Sequence, residues 1–165
     1  MKTLLLTLMA AAGVATTAAA PRTVADTTPA GEAKIISYNI RLGVADDGAN
    51  SWEHRREATL RMLEREVPTV FGIQEGYLFQ VNYIEQNLPQ YARVGVGRDD
   101  GKEGGEIMAV FYLRDRYDLL DHGDLWLSET PDRVSRGWDG ACNRTMTWVH
   151  LREKATGCLL YTSDA

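Results

Sequence analysis

Cysteine and histidine are scarce in this sequence, at two and three residues of 165. Cys142 and Cys158, with fifteen residues between them, allow one disulfide, which a domain of about 140 residues with its own core does not need. Proline is sparse at five residues and glycine stands at fifteen, which excludes collagen-like and disordered chains. An excess of basic charge is also missing, since 18 Lys+Arg face 23 Asp+Glu for a net charge of −5. Such a surface repels bare phosphate backbones and disfavours nucleic-acid binding unless a metal ion reverses the sign locally. No apolar run reaches the ~20 residues that a membrane-spanning helix needs. What remains is 44% apolar and 25% charged over one domain's length, the composition of a globular protein.

The longest apolar stretch, Leu4 to about Val14, follows Lys2 and fades into the small-residue end Ala18-Ala19-Ala20. A positive start, a short apolar core and an A-x-A end make residues 1–20 a secretory signal peptide, with cleavage expected at Pro21 or close to it. Its removal leaves 17 basic and 23 acidic side chains, net −6, in a protein expected to be secreted or periplasmic. Residues 21–32 are rich in Pro, Thr and Ala without periodicity and read as a linker. The folded domain is expected over 33–157.

KIISYNI from Lys34 is short, β-branched and aromatic, which predicts a buried strand with Asn39 and Arg41 at its carboxyl end. Trp52, Ala58, Leu60, Leu63 and Val67 recur at helical spacing up to Pro68, with Ser51 as N-cap and Glu53 in the first turn. TVFGIQE predicts a second strand beside the first. Tyr77, Val81, Ile84 and Leu88 predict a second helix up to Pro89. This alternation means a sheet covered by helices. From Tyr91 the pattern changes to strand-length runs, YARVGVG, IMAVFYL, YDLLDHGDLWL and RTMTWVHLRE, divided by Gly, Asp and Pro and expected to be mostly antiparallel.

Asn39 and Glu75 end the first two strands, where sheet proteins place their chemistry because the strand fixes the backbone and the loop exposes the side chain. If the strands are neighbours, an amide and a carboxylate converge into an oxygen-only pair suited to Mg²⁺ or Mn²⁺ and poorly suited to zinc. On spacing alone, a carboxylate after a strand is most often a helix-capping partner or a surface acid.

Six segments in order, SYNIR, FGIQEG, VGVGRDDG, GGEIMAVFY, LWLSETP and RTMTWVHL, resemble the amino-terminal half of the endonuclease/exonuclease/phosphatase family, and the GRDDG and WLSETP pieces are similar to its secreted or periplasmic bacterial members. The resemblance runs from about Lys34 to Arg152. It implies an α/β four-layer sandwich of two mixed sheets flanked by helices, with only the amino-terminal part present. It implies a metal-dependent hydrolase of phosphate mono- or diesters, working with Mg²⁺ or Mn²⁺ and monomeric at full length. Carried over residue by residue, Glu75 matches the family's metal-binding Glu, and Asn39 matches the Asn that supports metal and phosphate. Arg98, on a Gly-rich loop, either forks onto phosphate oxygens or pairs with Asp99, Asp100 or Glu103. Glu106 and Tyr112 flank a strand resembling the family's site-facing one, with Tyr112 read as core or rim. Arg144 ranks below them.

The family's base and phosphate-binding motifs of its second half, resembling N-T-H-x-D, G-D-x-N and a terminal S-D-H, have no counterpart here. His54, His122 and His150 match none of them and read as solvated or structural. The tail CLLYTSDA, residues 158–165, departs from the family pattern, with Ser163 standing where Thr162 would place the His. The expectation is therefore an inactive fragment of an exported phosphoesterase. The alternative is a non-catalytic secreted binding or structural protein retaining half of the fold.

Overall fold

The computed structural model describes residues 22–165, so the signal-peptide segment lies outside the described residues. The elements are β1 (Ile35–Asn39), α1 (Trp52–Glu66), β2 (Val70–Gly76), α2 (Leu78–Asn87), β3 (Tyr91–Val94), β4 (Ile107–Leu113), β5 (Tyr117–Trp126), β6 (Thr145–Glu153) and β7 (Leu159–Asp164). Each predicted strand and helix is present to within a few residues. Ser51 sits at the N-cap of α1, though its side chain makes no capping bond, and Val67 closes the helix in a left-handed turn before Pro68.

The strands form two sheets, β1-β2-β4-β3 and β5-β6-β7. β1 runs parallel to β2, as a β-α-β crossover requires, and all other pairings are antiparallel. β1 departs from expectation. It lies at the sheet edge with alternate residues facing solvent, Ile35 among them, because among the described residues no strand pairs on its far side. The fully buried strands are the inner β2 over its first four residues and β4 along its whole length.

α1 and α2 cover one face of the first sheet through Leu60, Leu63, Val81 and Ile84 on Phe71, Ile73, Ala109 and Phe111. Phe71 and Phe111 stack at 4.6 Å between centroids. The opposite face meets the second sheet through Val70, Val110 and Tyr112 against Tyr117, Val149 and Leu151. This gives the α/β layering of helices, sheet and sheet, three of the four layers of the sandwich. Tyr112 belongs to this core, as its sequence context indicated.

Residues 22–32 contain no helix or strand, in keeping with their composition, yet they are fastened to the domain. The largely covered Arg116 guanidinium donates to the Asp26 carboxylate and to the carbonyls of Thr28, Pro29 and Glu32, and pairs with Glu153 at 2.6 Å. The segment Leu159–Asp164, doubtful from sequence, forms β7 along β6. Cys142 and Cys158 are free thiols.

Candidate metal and phosphate site

A cavity of about 530 Å³ opens at the carboxyl ends of β1 and β2, between the two sheets. Asn39 and Glu75 form one wall. The parallel register sets Asn39 beside Gln74, so Glu75 is the next residue along. The register of β2 against β4 slips between Ile73 and Gly76, and Glu75 sits in that bulge with φ +59. A left-handed backbone is uncommon for a non-glycine residue, and a bulge re-aims a side chain that regular pairing would direct elsewhere.

The Glu75 carboxylate is held from two sides. Asn39 Nδ2 donates to Oε1 at 3.0 Å, and the Leu42 amide donates to Oε2 at 2.9 Å. These bonds, the one from Asn39 foremost, hold its pKa below the ordinary Glu value. Asn39 is fixed in turn, because its Oδ1 accepts the Arg41 amide at 2.8 Å. The loop after β1 is tied down by Gln80, fully buried on α2, which accepts from the Gly43 and Tyr77 amides and donates to the Arg41 carbonyl. Gln80 is a positioning residue that sequence reasoning missed. Its position among the apolar residues of α2 gives no sign that its side chain turns back to the loop.

Arg98 and Glu106 form a second part of the wall. Arg98 Nη1 lies 2.9 Å from Glu106 Oε2, both side chains nearly buried, while Asp99 stands 3.8 Å from Nε. The partner of Arg98 is thus Glu106 across the hairpin-like bridge Gly97–Ile107, rather than Asp100 or Glu103. The Arg98 carbonyl accepts from Trp126 Nε1 and Asn143 Nδ2, which pins this loop to the second sheet.

Leu127 and Arg144 supply the third part. The Leu127 amide donates to the Arg144 carbonyl at 2.8 Å, bringing the two ends of the β5–β6 loop to the rim. The exposed Arg144 side chain makes no ion pair or hydrogen bond within the described residues, yet its charge reaches Glu75 and helps hold that carboxyl ionised. An unpaired guanidinium facing a carboxylate across a cavity is the group best placed to receive an anion. The sequence reading ranked it below Arg98, whose charge Glu106 already balances.

Behind Ser37 and Gln74, which line the cavity, Asp164 accepts from Gln74 Nε2 and Ser37 Oγ, and burial pushes its carboxyl above the ordinary Asp range. The approach is so close that a Cβ on Gly72 would lie 2.5 Å from the Asp164 carboxyl, which explains glycine there. His54, His122 and His150 are absent from the cavity wall, the first two being exposed and the third stacked on Tyr161 at 3.8 Å. Ser163 points to the outer face, away from the cavity.

The donor set fits a hard divalent cation. Glu75 keeps unused lone pairs beside an amide, and Mg²⁺ commonly takes one or two carboxylates with water and substrate phosphate completing its shell. Among the described residues no cluster of three or more His, Cys, Asp or Glu exists that could cage a metal by protein ligands alone.

No family model matches the chain, and no curated protein sequence matches it. Solved structures do. An endonuclease/exonuclease/phosphatase from Bacteroides vulgatus is 35% identical with a TM-score of 0.78, over 80% of this chain and 51% of its own. A family member from Bacteroides thetaiotaomicron is 39% identical with a TM-score of 0.76, over 79% and 47%. A mannosyl-6-phosphatase from Bacteroides thetaiotaomicron is 39% identical with a TM-score of 0.77, over 80% and 50%. The chain belongs to the endonuclease/exonuclease/phosphatase family. It spans about half the length of these structures.

Proposed function

We propose that this chain is the metal- and phosphate-binding part of a metal-dependent phosphoesterase of exported type whose substrate is a small phosphate ester, a hexose phosphate foremost. The observation that carries this reading is the Asn39–Glu75 pair facing the unpaired Arg144 across one cavity. Glu75 would hold Mg²⁺, or Mn²⁺ in its place, with Asn39 beside it as the group that orients the carboxylate, its Nδ2 donating to Glu75 and its Oδ1 accepting the Arg41 amide. The chemistry a bound cation supplies there is neutralisation of the phosphoryl oxygens and of the developing charge on the leaving oxygen. Asn39 and the Leu42 amide keep the Glu75 carboxylate ionised and aimed. Arg144 binds phosphate oxygens from the opposite wall, with Arg98 behind it, oriented by Glu106.

The substrate class draws support from two sides. The mannosyl-6-phosphatase among the similar structures acts on a phosphorylated sugar by its name. The net charge of −5 disfavours a polyanion, which needs a basic surface rather than a single free guanidinium.

None of the histidines lies in the cavity wall among the described residues, so these residues bind and orient without an imidazole base. That observation supports the reading of this chain as competent to bind and unable to turn over. In calorimetry, the protein is expected to bind Mg²⁺, and Glu75→Gln to weaken that binding a hundredfold or more, about 2.7 kcal/mol. The change is nearly isosteric and leaves the fold in place. Equal Mg²⁺ affinity in the two proteins refutes the assignment.

A further inference from the structure

We propose that Trp138 is a specificity-determining residue of this cavity, stacking on the pyranose ring of the phosphate ester that the site takes; this rests on the phosphoesterase reading above. Trp138 is 74% exposed, the most exposed large apolar side chain among the described residues, and its backbone is left-handed at φ +46. A bulky residue in that conformation on an open surface lacks a packing reason to be there. Its neighbour Gly137 is buried against the backbone of Leu127, a residue of the cavity wall, since a Cβ there would lie 2.1 Å from the Leu127 carbonyl oxygen. Trp138 stands one residue along the chain from that contact, beside the residues that line the cavity rather than among them.

The loop that carries it is held firmly. Ser128 and Ser135 share a hydroxyl bond at 2.6 Å, Ser135 also donates to the Thr130 carbonyl, the Trp126 amide donates to the Pro131 carbonyl, and the Gly140 amide closes a turn on Gly137. An indole with only two side-chain torsions on a fastened backbone loses little freedom on binding, which suits it to hold a ring. The apolar C–H face of a pyranose packs on an indole face, while the exposed Arg136 and Asp139 on either side of Gly137-Trp138 offer charged partners for hydroxyls. The cavity has room for such a group. A phosphate and a hydrated cation take up on the order of 200 Å³ at about 30 Å³ per water-sized group, well under half of its volume.

Calorimetric titration with a hexose 6-phosphate and with inorganic phosphate, each in the presence of Mg²⁺, tests the assignment. The wild-type protein is expected to bind the sugar phosphate about tenfold more tightly than inorganic phosphate. Trp138→Ala should erase that preference and leave the affinity for inorganic phosphate within twofold, while Trp138→Phe retains most of it. A preference that survives in Trp138→Ala, or is missing in the wild type, overturns the assignment while leaving the phosphate site standing. A fall of several degrees in the melting temperature of Trp138→Ala overturns it too, because the ring would then be packing within the protein. Failure of the wild-type protein to bind inorganic phosphate at all defeats the phosphoesterase reading and the role of Trp138 with it.

Discussion

The two walls of the cavity are built in opposite ways. On the first sheet, Glu75 has a hydrogen bond on each oxygen, Asn39 is tied to the next loop, and that loop is tied to buried Gln80. On the side of the second sheet, the Arg144 and Trp138 side chains make no hydrogen bond or ion pair within the described residues, on a β5–β6 loop whose own backbone is well fastened. One wall spends its hydrogen-bonding capacity inside the protein, and the other keeps it for something that arrives. A fixed carboxylate suits a cation that must sit at one point, because preorganised donors cost no rearrangement when charge develops. An unpaired guanidinium and an open aromatic ring suit a ligand that comes and goes.

This contrast predicts a separation of effects. Glu75→Gln should remove Mg²⁺ binding, the largest single loss in the site, while Arg144→Ala should leave Mg²⁺ affinity unchanged or slightly raised because a positive charge beside the carboxylate is gone. For inorganic phosphate, Arg144→Ala should cost ten- to a hundredfold, about 1.4 to 2.8 kcal/mol, the range of a lost charge-assisted contact. Calorimetry with each ligand reads both. Parallel losses of metal and phosphate in Arg144→Ala would erase the division of labour between the walls.

Asn39→Ala sharpens the same comparison at smaller amplitude. With Glu75 retained but its Oε1 partner removed, Mg²⁺ affinity should fall about tenfold, as for other changes to groups that orient a ligand. The pH profile should shift with it. The hydrogen bonds hold the Glu75 pKa below its ordinary value, so the wild type keeps its ionised carboxylate down to a lower pH. Losing the Asn39 bond moves the pKa up, and Mg²⁺ binding in Asn39→Ala should fail at a higher pH than in the wild type. Coincident acid limbs would show that Asn39 does not hold the carboxylate.

Much of this was legible in the sequence, and the parts that were not share a cause. Alternating apolar runs and helical spacing report local backbone preference, so β1 to β6 and both helices could be read off. Asn39 and Glu75 were legible because strand ends in a β-α-β unit come together by topology. The exposure of β1 was not, since edge position depends on what fails to pair beside it. Arg98 was ranked above Arg144 because a Gly-rich loop is visible in sequence, whereas the neutralising Glu106 approaches only through the Gly97–Ile107 bridge. The bulge that turns Glu75 leaves no mark in FGIQEG. In each case the missing information was the identity, or the absence, of a partner distant in sequence.

The smallest expected effect lies where the two sheets meet behind the cavity. Asp164 on β7 is 8% exposed and touches Gln74 and Ser37, neutral donors with no cation among its bonded partners. Burial raises its pKa above the ordinary 3.8 despite those bonds, so the folded protein holds this proton more tightly than the unfolded chain does. The sign of the pH dependence follows. The contribution of Asp164 is fully favourable below 3.8 and is lost as pH rises through the raised folded value, so at neutral pH a buried carboxylate opposes the docking of β7. Asp164→Asn removes that charge and keeps an oxygen to accept from Gln74. It should therefore stabilise the protein at pH 7 by about 1 kcal/mol, roughly 3 °C in melting temperature for a chain of this size. The advantage should shrink as the pH is lowered and vanish below 3.8, where the carboxyl is neutral in the folded and the unfolded chain alike. Thermal melts of both proteins across that range decide it: a lower melting temperature for Asp164→Asn at pH 7 would mean that the carboxylate form is what holds the second sheet to the first.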